Sequence, residues 1–375
     1  MTTLAASAQA FDHNPTIALL LRCVSSAPNE QIAQQIEAIA QSQIDWPALV
    51  QLAYEHRVVA LLYYRLEAVA PTAAPTDCMA ALRQQAHKIA LRNLSTTAEL
   101  RRLLGLMSTA GIDTLPYKGP VLTQMLYGSL KRRAFGDLDI IIQPQDMLSV
   151  EKLLIAEGYR PYFGKKTAAE LAEYMASKNE HTYDFYHSGK HIFVEVHWRF
   201  WPPYFSAVNP SEVWPRRERT KLIDKEVSTF STEDYLIILC MHGSRHVWQR
   251  LSWLCDIAML LEKYPALDWQ RVFSQAEQWG ATRMLCVGLY LAREWLGASL
   301  CAIATQKIAA DPAIPQLANC VKDQMFSIEQ KPRRFISTTR YQVRVRERWQ
   351  DKAAYAESFV YWLLKGRFED EKTPA

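Results

Sequence analysis

Tyr117-Lys118-Gly119-Pro120, with Phe135-Gly136-Asp137-Leu138-Asp139-Ile140-Ile141-Ile142 shortly after it, is the part of the chain on which the fold turns. The second run alternates as a strand does, over about Phe135–Gln143. Residues two apart in a strand point the same way, so Asp137 and Asp139 share one face while Leu138, Ile140 and Ile142 face the opposite core. Two adjacent carboxylates repel, and folding them together costs free energy unless a cation lies between them. Hard oxygen ligands on one strand suit Mg²⁺ (or Mn²⁺), which keeps waters and takes substrate phosphates to complete its shell. Gly136, just before the pair, leaves room for close approach.

Upstream, Ile112–Tyr117 is short and apolar enough for a strand, so Lys118-Gly119-Pro120 lies at a strand-to-helix junction. Pro120 suits a first helical turn, and Gly128 suits the end of a helix over Val121–Tyr127. A glycine turn opening a helix offers N–H groups and the positive end of the helix dipole, which makes Lys118 and Gly119 candidate phosphate contacts. Arg132 and Arg133 precede the Asp pair and bring charge for the same purpose. Phosphoryl chemistry with two metal ions calls for a third carboxylate. Glu195 is the candidate, in the alternating run His191–Trp198, where Phe193, Glu195 and His197 share one face and Ile192, Val194, Val196 and Trp198 the other. A charge within so apolar a strand needs a partner, and a metal serves. His197 joins the candidate ligand contacts from the same face.

Outward from this segment the period is helical. Trp46, Leu49, Leu52 and Ala53 recur at spacings of three and four, as do Val59, Leu62, Tyr63 and Leu66. Pro71 and Pro75 break the run before a long helical stretch over Met79–Ala110. Val150–Glu157 reads as a helix ended by Gly158. After Thr232 the helical period resumes to the end. The expected fold class is α+β: a helical region over 1–110, a small mixed-sheet α/β core over 111–205 and a helical region over 206–375.

Composition sets the outer limits. A chain of 375 residues, 49% hydrophobic and 22% charged, is an ordinary globular protein of two or three units, which excludes wholesale disorder. Thirteen glycines against forty-one aromatic residues (11 Trp, 17 Tyr, 13 Phe) exclude collagen-like or low-complexity architecture. A net charge of +4 permits an anionic substrate but is too small for a dedicated nucleic-acid binder. Seven scattered cysteines without a CxxC pair suggest neither a disulfide framework nor a zinc knuckle. Met1–Asn14 has an Asp and no Lys or Arg, unlike a signal peptide, and the apolar runs are cut by charges. The expectation is a reduced, cytoplasmic protein with no membrane partner.

Three further stretches carry side chains of chemical interest. Met241–Tyr264 is expected as one helix with an apolar seam and a second stripe of His242, His246, Gln249, Trp253 and Asp256. His242 and His246 have the i, i+4 spacing of zinc ligands but lack the HExxH glutamate and a third partner. They either brace neighbouring helices or line the nucleotide or acceptor pocket. Lys331–Trp349 interleaves Lys331, Arg333, Arg334, Arg340, Arg344, Arg346 and Arg348 with Phe335, Tyr341 and Trp349, a pattern suited to RNA or to a solvated helix face. Ser358–Phe368 is amphipathic and aromatic, expected to pack on the body.

Taken together, the turn, the Asp-x-Asp strand and the later acidic strand resemble the DNA-polymerase-β nucleotidyltransferase superfamily. More narrowly, the chain resembles its "uncharacterised nucleotidyltransferase" family. The residues are Lys118-Gly119, Arg133, Gly136-Asp137-Leu138-Asp139 and Glu195-Val196-His197-Trp198, flanked by Glu55-His56-Arg57-Val58 and by His242 through Asp256. The resemblance covers about Asp45–Tyr264. It departs at Pro120, where Gly or Ser is usual, and at Glu195, where Asp is commoner. The resemblance implies metal-dependent transfer of a nucleoside monophosphate from an NTP such as ATP, with release of pyrophosphate. Asp137, Asp139 and Glu195 would be the metal ligands and catalytic carboxylates. The acceptor stays open among a small molecule, a peptide or protein, and an RNA end. A degenerate nucleotide- or partner-binding module is the other reading, and Pro120 favours it.

Overall fold

Five strands, β1 (Thr114–Tyr117), β2 (Asp137–Ile142), β3 (Arg160–Pro161), β4 (Thr182–His187) and β5 (Ile192–His197), form a mixed sheet in the order β1-β2-β5-β4-β3. The computed structural model describes residues 11, 14–26, 30–206, 208–326 and 335–365. Four helices, α1 to α4 (Pro15–Val24, Glu30–Ala40, Trp46–Glu55, Val59–Val69), and the long α5 (Thr76–Thr109) precede the sheet. Helices α6 (Gly119–Tyr127), α7 (Met147–Ala156) and α8 (Ala168–Ala176) lie between its strands. A short α9 (Pro210–Val213) and a hairpin of β6 (Glu218–Leu222) and β7 (Lys225–Thr229) follow. Eight helices complete the chain: α10 (Thr232–Arg245), α11 (Leu251–Lys263), α12 (Trp269–Gln278), α13 (Thr282–Leu296), α14 (Ala302–Ala310), α15 (Ala313–Met325), α16 (Phe335–Val345) and α17 (Trp349–Lys365). The α+β class with helical regions on both sides is therefore present, and the α6 and α7 limits agree with the expected ones within three residues.

Each face of the sheet has its own core. Leu138, Ile140 and Ile142 of β2 and Ile192, Val194 and Val196 of β5 are buried with Val150 and Leu154 of α7. Ile141 and Leu115 project the other way, into the helical core. Helix α5 ties the two together, with Leu82 and Ala86 in the helical core and Leu100, Leu103 and Met107 beneath the sheet. Burying each such aliphatic side chain contributes roughly 2 kcal/mol, so the register of β2 is strongly fixed. A one-residue slip would push Asp139 into the core and Ile140 out of it.

Three parts of the sequence reading need correction. Strand β4 and the β6–β7 hairpin stand where no strand was expected, the hairpin inside the region read as helical. Its pairs, such as Lys221 opposite Glu226, carry charge on both strands, so no apolar alternation marks it. Met241–Tyr264 is two helices. Trp248 N–H donates to Gly243 O (2.8 Å), with Val247 and Trp248 both left-handed (φ 49 and 53). The Trp248 ring folds back against two glycines: a Cβ at Gly243 would meet it at 2.3 Å and one at Gly288 at 2.9 Å. Its Nε1 donates to Tyr341 Oη (3.1 Å).

The basic stretch does not form one exposed face. Arg346 and Tyr341 are buried, and Arg348 is paired with Asp351 (2.6 Å). Lys331, Arg333, Arg334, most of Met1–Asn14 and the end of Ser358–Phe368 lie outside the described residues. All seven cysteines are free thiols. Among the described residues no helix is long and apolar enough to cross a membrane.

Candidate active site

Strand pairing assembles the site. Strand β2 runs parallel to β5, with Asp137 opposite Phe193, Asp139 opposite Glu195 and Ile141 opposite His197. Strand β1 pairs antiparallel on the other side and puts Tyr117 opposite Asp139. The carboxylates of Asp139 and Glu195 and the imidazole of His197 each offer a ligand atom within 4.8 Å of the others. Among the described residues no other group of histidine, cysteine and acidic side chains meets that description. Asp137 lies on the same strand face, one step along, outside this cluster but close enough to charge it.

The electrostatics show strain between like charges and relief by cations. Burial and the neighbouring Asp139 raise the Asp137 carboxyl above its ordinary range, with Lys118 and Arg57 opposing. Burial raises Glu195 too, opposed by a hydrogen bond from His197. Asp139 is lowered in spite of burial, because Lys118 and His197 favour its ionised form. Its Oδ1 lies 3.3 Å from Lys118 Nζ and 3.2 Å from His197 Nε2, which is itself 3.5 Å from Glu195 Oε2. Burial opposes protonation of His197, but bonds to Asp139 and Glu195 prevail and raise its pKa. Three carboxylates set against one imidazole and one ammonium, with the Glu195 side chain 34% exposed, fit a hard divalent cation: Asp139, Glu195 and Asp137 as oxygen donors and His197 beside them.

The glycine turn sits where the sequence puts it. Lys118 caps α6 in a left-handed conformation (φ 50), and Gly119 follows at φ 40. A Cβ on Gly119 would meet the Asp137 main-chain oxygen at 3.2 Å, so the turn and β2 approach closely. Fewer amides face outward than a glycine turn usually provides. The Lys118 N–H donates to Tyr235 Oη (3.1 Å), and Pro120 has none. At Gly136 an added Cβ meets nothing within 4 Å, so this glycine borders open space.

Arg133 is placed differently from its expected role as a phosphate contact. It is buried, and its Nε and Nη2 donate to the two oxygens of Asp256 (2.7 and 2.8 Å), which also accepts from Tyr127 Oη (2.9 Å). His242 and His246 lie ring to ring (4.8 Å) and both pack on Trp253. Burial lowers the His242 pKa, helped by Lys118, His246, Arg245 and Arg133, which places His242 in the same electrostatic neighbourhood as the turn. Neither histidine belongs to the ligand cluster.

Two residues of the site carried no motif. His181, just before β4, has its ring 6.0 Å from that of His197 and its Nε2 3.4 Å from Arg245 Nη1. Arg57, in the Glu55–Val58 flank, is electrostatically coupled to Asp137. No local pattern points to His181, because β4 brings it there through tertiary pairing.

A glycine turn and two acidic strands side by side on a mixed sheet have the make-up of a nucleotidyltransferase core. The uncharacterised nucleotidyltransferase family matches residues 42–297, more than half of the 375, and the chain belongs to that family. The match extends past Tyr264 to the end of α13. No curated protein matches the chain.

Proposed function

We propose that the protein transfers a nucleoside monophosphate from an NTP to an acceptor hydroxyl and releases pyrophosphate, with Mg²⁺ or Mn²⁺ held by Asp137, Asp139 and Glu195. The observation that carries this reading is the convergence of Asp139, Glu195 and His197 beside the Lys118-Gly119 turn, in a chain of this family. The cation supplies charge neutralisation for the triphosphate and for the transition state around the α-phosphorus.

The chain's own groups do the positioning. Lys118 Nζ, 3.3 Å from Asp139, is close enough to the donor cluster to contact phosphate oxygens as well. Arg133 adds its field from beneath, its contacts being taken up by Asp256. Glu195, half-buried with a raised pKa, accepts the acceptor's proton as the acceptor oxygen bonds to the α-phosphorus. The bond from that phosphorus to the bridging oxygen breaks, and its electron pair leaves with pyrophosphate. His197, bonded to both Asp139 and Glu195, keeps them oriented.

A second reading has its own support. With the Lys118 amide engaged and Pro120 lacking one, the turn offers a phosphate few backbone donors, as a binding module without catalysis might tolerate. One experiment separates them: incubation with each α-labelled NTP, Mg²⁺ and a cell extract, with Asp139→Asn as control. Label on a macromolecule or small molecule, absent in the control, supports transfer. Metal-dependent NTP binding with no label and no pyrophosphate supports the module.

A further inference from the structure

Opposite the surplus of carboxylates, the fold collects guanidiniums. Helix α3 ends at Glu55, and Arg57 follows with φ 56. Its N–H bonds back to Tyr54 O (3.1 Å), and the Val58 N–H reaches Ala53 O (2.9 Å). This is the left-handed position after a helix that glycine ordinarily fills, since a Cβ there crowds the backbone. A chain needing only a helix stop would place glycine here, so the arginine is retained for its side chain.

That side chain is directed to the site. The His56 carbonyl accepts from Ser252 N–H (3.2 Å), which seats the α3 end on the first turn of α11. One turn further along α11, Asp256 holds Arg133. Arg57 is attracted by Asp137 and repelled by Arg133 and Arg92. Asp256 neutralises Arg133, whereas Arg92 reaches only the Gly136 main-chain oxygen, at 3.4 Å. Among the described residues Arg57 makes no ion pair or side-chain hydrogen bond. Like charges gathered without a matching anion need one from outside, as the carboxylates need a cation.

We propose that Arg57 binds the terminal phosphates of the NTP, the part that departs as pyrophosphate, so that the N-terminal helical region completes the active site. Asp137, rather than Glu195, counts Arg57 among its strongest charge neighbours, which sets the guanidinium on the side away from the acceptor's base. In an in-line displacement that side belongs to the leaving group, and a guanidinium fork matches its oxygens. The turn's shortage of amides gives such a side chain its purpose. This inference rests on the nucleotidyl-transfer reading.

The test is calorimetric titration of the full chain with Mg²⁺-pyrophosphate, each Mg²⁺-NTP and each NMP, beside the unligated thermal midpoint. Arg57→Gly should weaken pyrophosphate and NTP binding by about tenfold or more, the worth of a charged hydrogen bond. It should leave NMP affinity as it is, and leave the midpoint equal or higher because the backbone strain is gone. Unchanged pyrophosphate binding in Arg57→Gly overturns this inference alone. A wild-type protein that binds neither pyrophosphate nor any NTP overturns the transfer reading beneath it. If the glycine variant loses stability, Arg57→Gln, which keeps the stem and removes the charge, decides by the same comparison.

Discussion

Asp139 on β2 stands directly opposite Glu195 on the parallel strand β5, and His197 Nε2 lies within 3.5 Å of both carboxylates. The pairing of two strands, not a loop, thus sets the spacing of the donor cluster, and the cores on either side of the sheet hold that register. Asp139→Asn keeps the shape and removes the charge that Lys118 and His197 share. Transfer of labelled nucleotide should fall by about 100-fold or more, with an unaltered far-ultraviolet circular dichroism spectrum. Activity within a few-fold of wild type would remove Asp139 from the catalytic set.

Ligand binding should register as stability. A ligand that binds only the folded state at 100 times its Kd adds about 2.7 kcal/mol, so Mg²⁺ with the cognate NTP should raise the thermal midpoint by several degrees. Asp137→Asn should abolish that shift. Its unligated midpoint should equal or slightly exceed that of wild type, because Asp137 carries a carboxyl disfavoured by burial and by Asp139. An undiminished ligand-induced shift in the variant would exclude Asp137 as a ligand.

How far the sequence discloses this arrangement depends on whether a local period reports the contact. The two faces of β2 and β5 are readable, since their apolar residues alternate without a break and leave Asp137, Asp139 and Glu195 on the other side. The Lys118-Gly119 turn and Gly128 are readable for their special backbone angles. Asp256 as the partner of Arg133 is not, because the two meet across more than a hundred residues. The break after Arg245 is hidden because Trp248 looks like one more apolar residue of a helix. Only the fit of its ring between Gly243 and Gly288 stops the helix there. Arg57 is hidden for a related reason: a left-handed arginine has no periodic signature.

The pair of Arg133 and Asp256 makes a stability prediction. Asp256 is 0% exposed, and Arg133→Met would leave its charge buried with only Tyr127 for company. The expected loss is about 3–5 kcal/mol in urea unfolding. Combining it with Asp256→Leu should recover most of that loss, since the penalty comes from the orphaned charge and not from a missing attraction. If the double variant is no more stable than the single one, the pair is not the source of the effect.

Glu99 supplies a prediction with a pH sign. Beneath the sheet its carboxylate accepts from Arg102 Nη2 (2.7 Å), Lys190 Nζ (2.9 Å) and Tyr159 Oη (2.9 Å). Burial opposes ionisation, but these donors prevail and hold its pKa down to about 2, from an ordinary 4.5. A carboxyl depressed in the folded state contributes stability above its unfolded pKa and loses it as pH falls through the folded value. The contribution is therefore complete at pH 7, declines below about pH 4.5 and is gone near pH 2, with a ceiling of about 3 kcal/mol. Glu99→Gln should be less stable than wild type in urea at pH 7, and the difference should narrow steadily between pH 5 and pH 3. Glu99 is outside the ligand cluster on β2 and β5, so nucleotide transfer by the folded variant at pH 7 should match wild type. A stability difference that stays constant with pH would mean that the variant disturbs packing and that the carboxylate's charge is not what Arg102 and Lys190 stabilise.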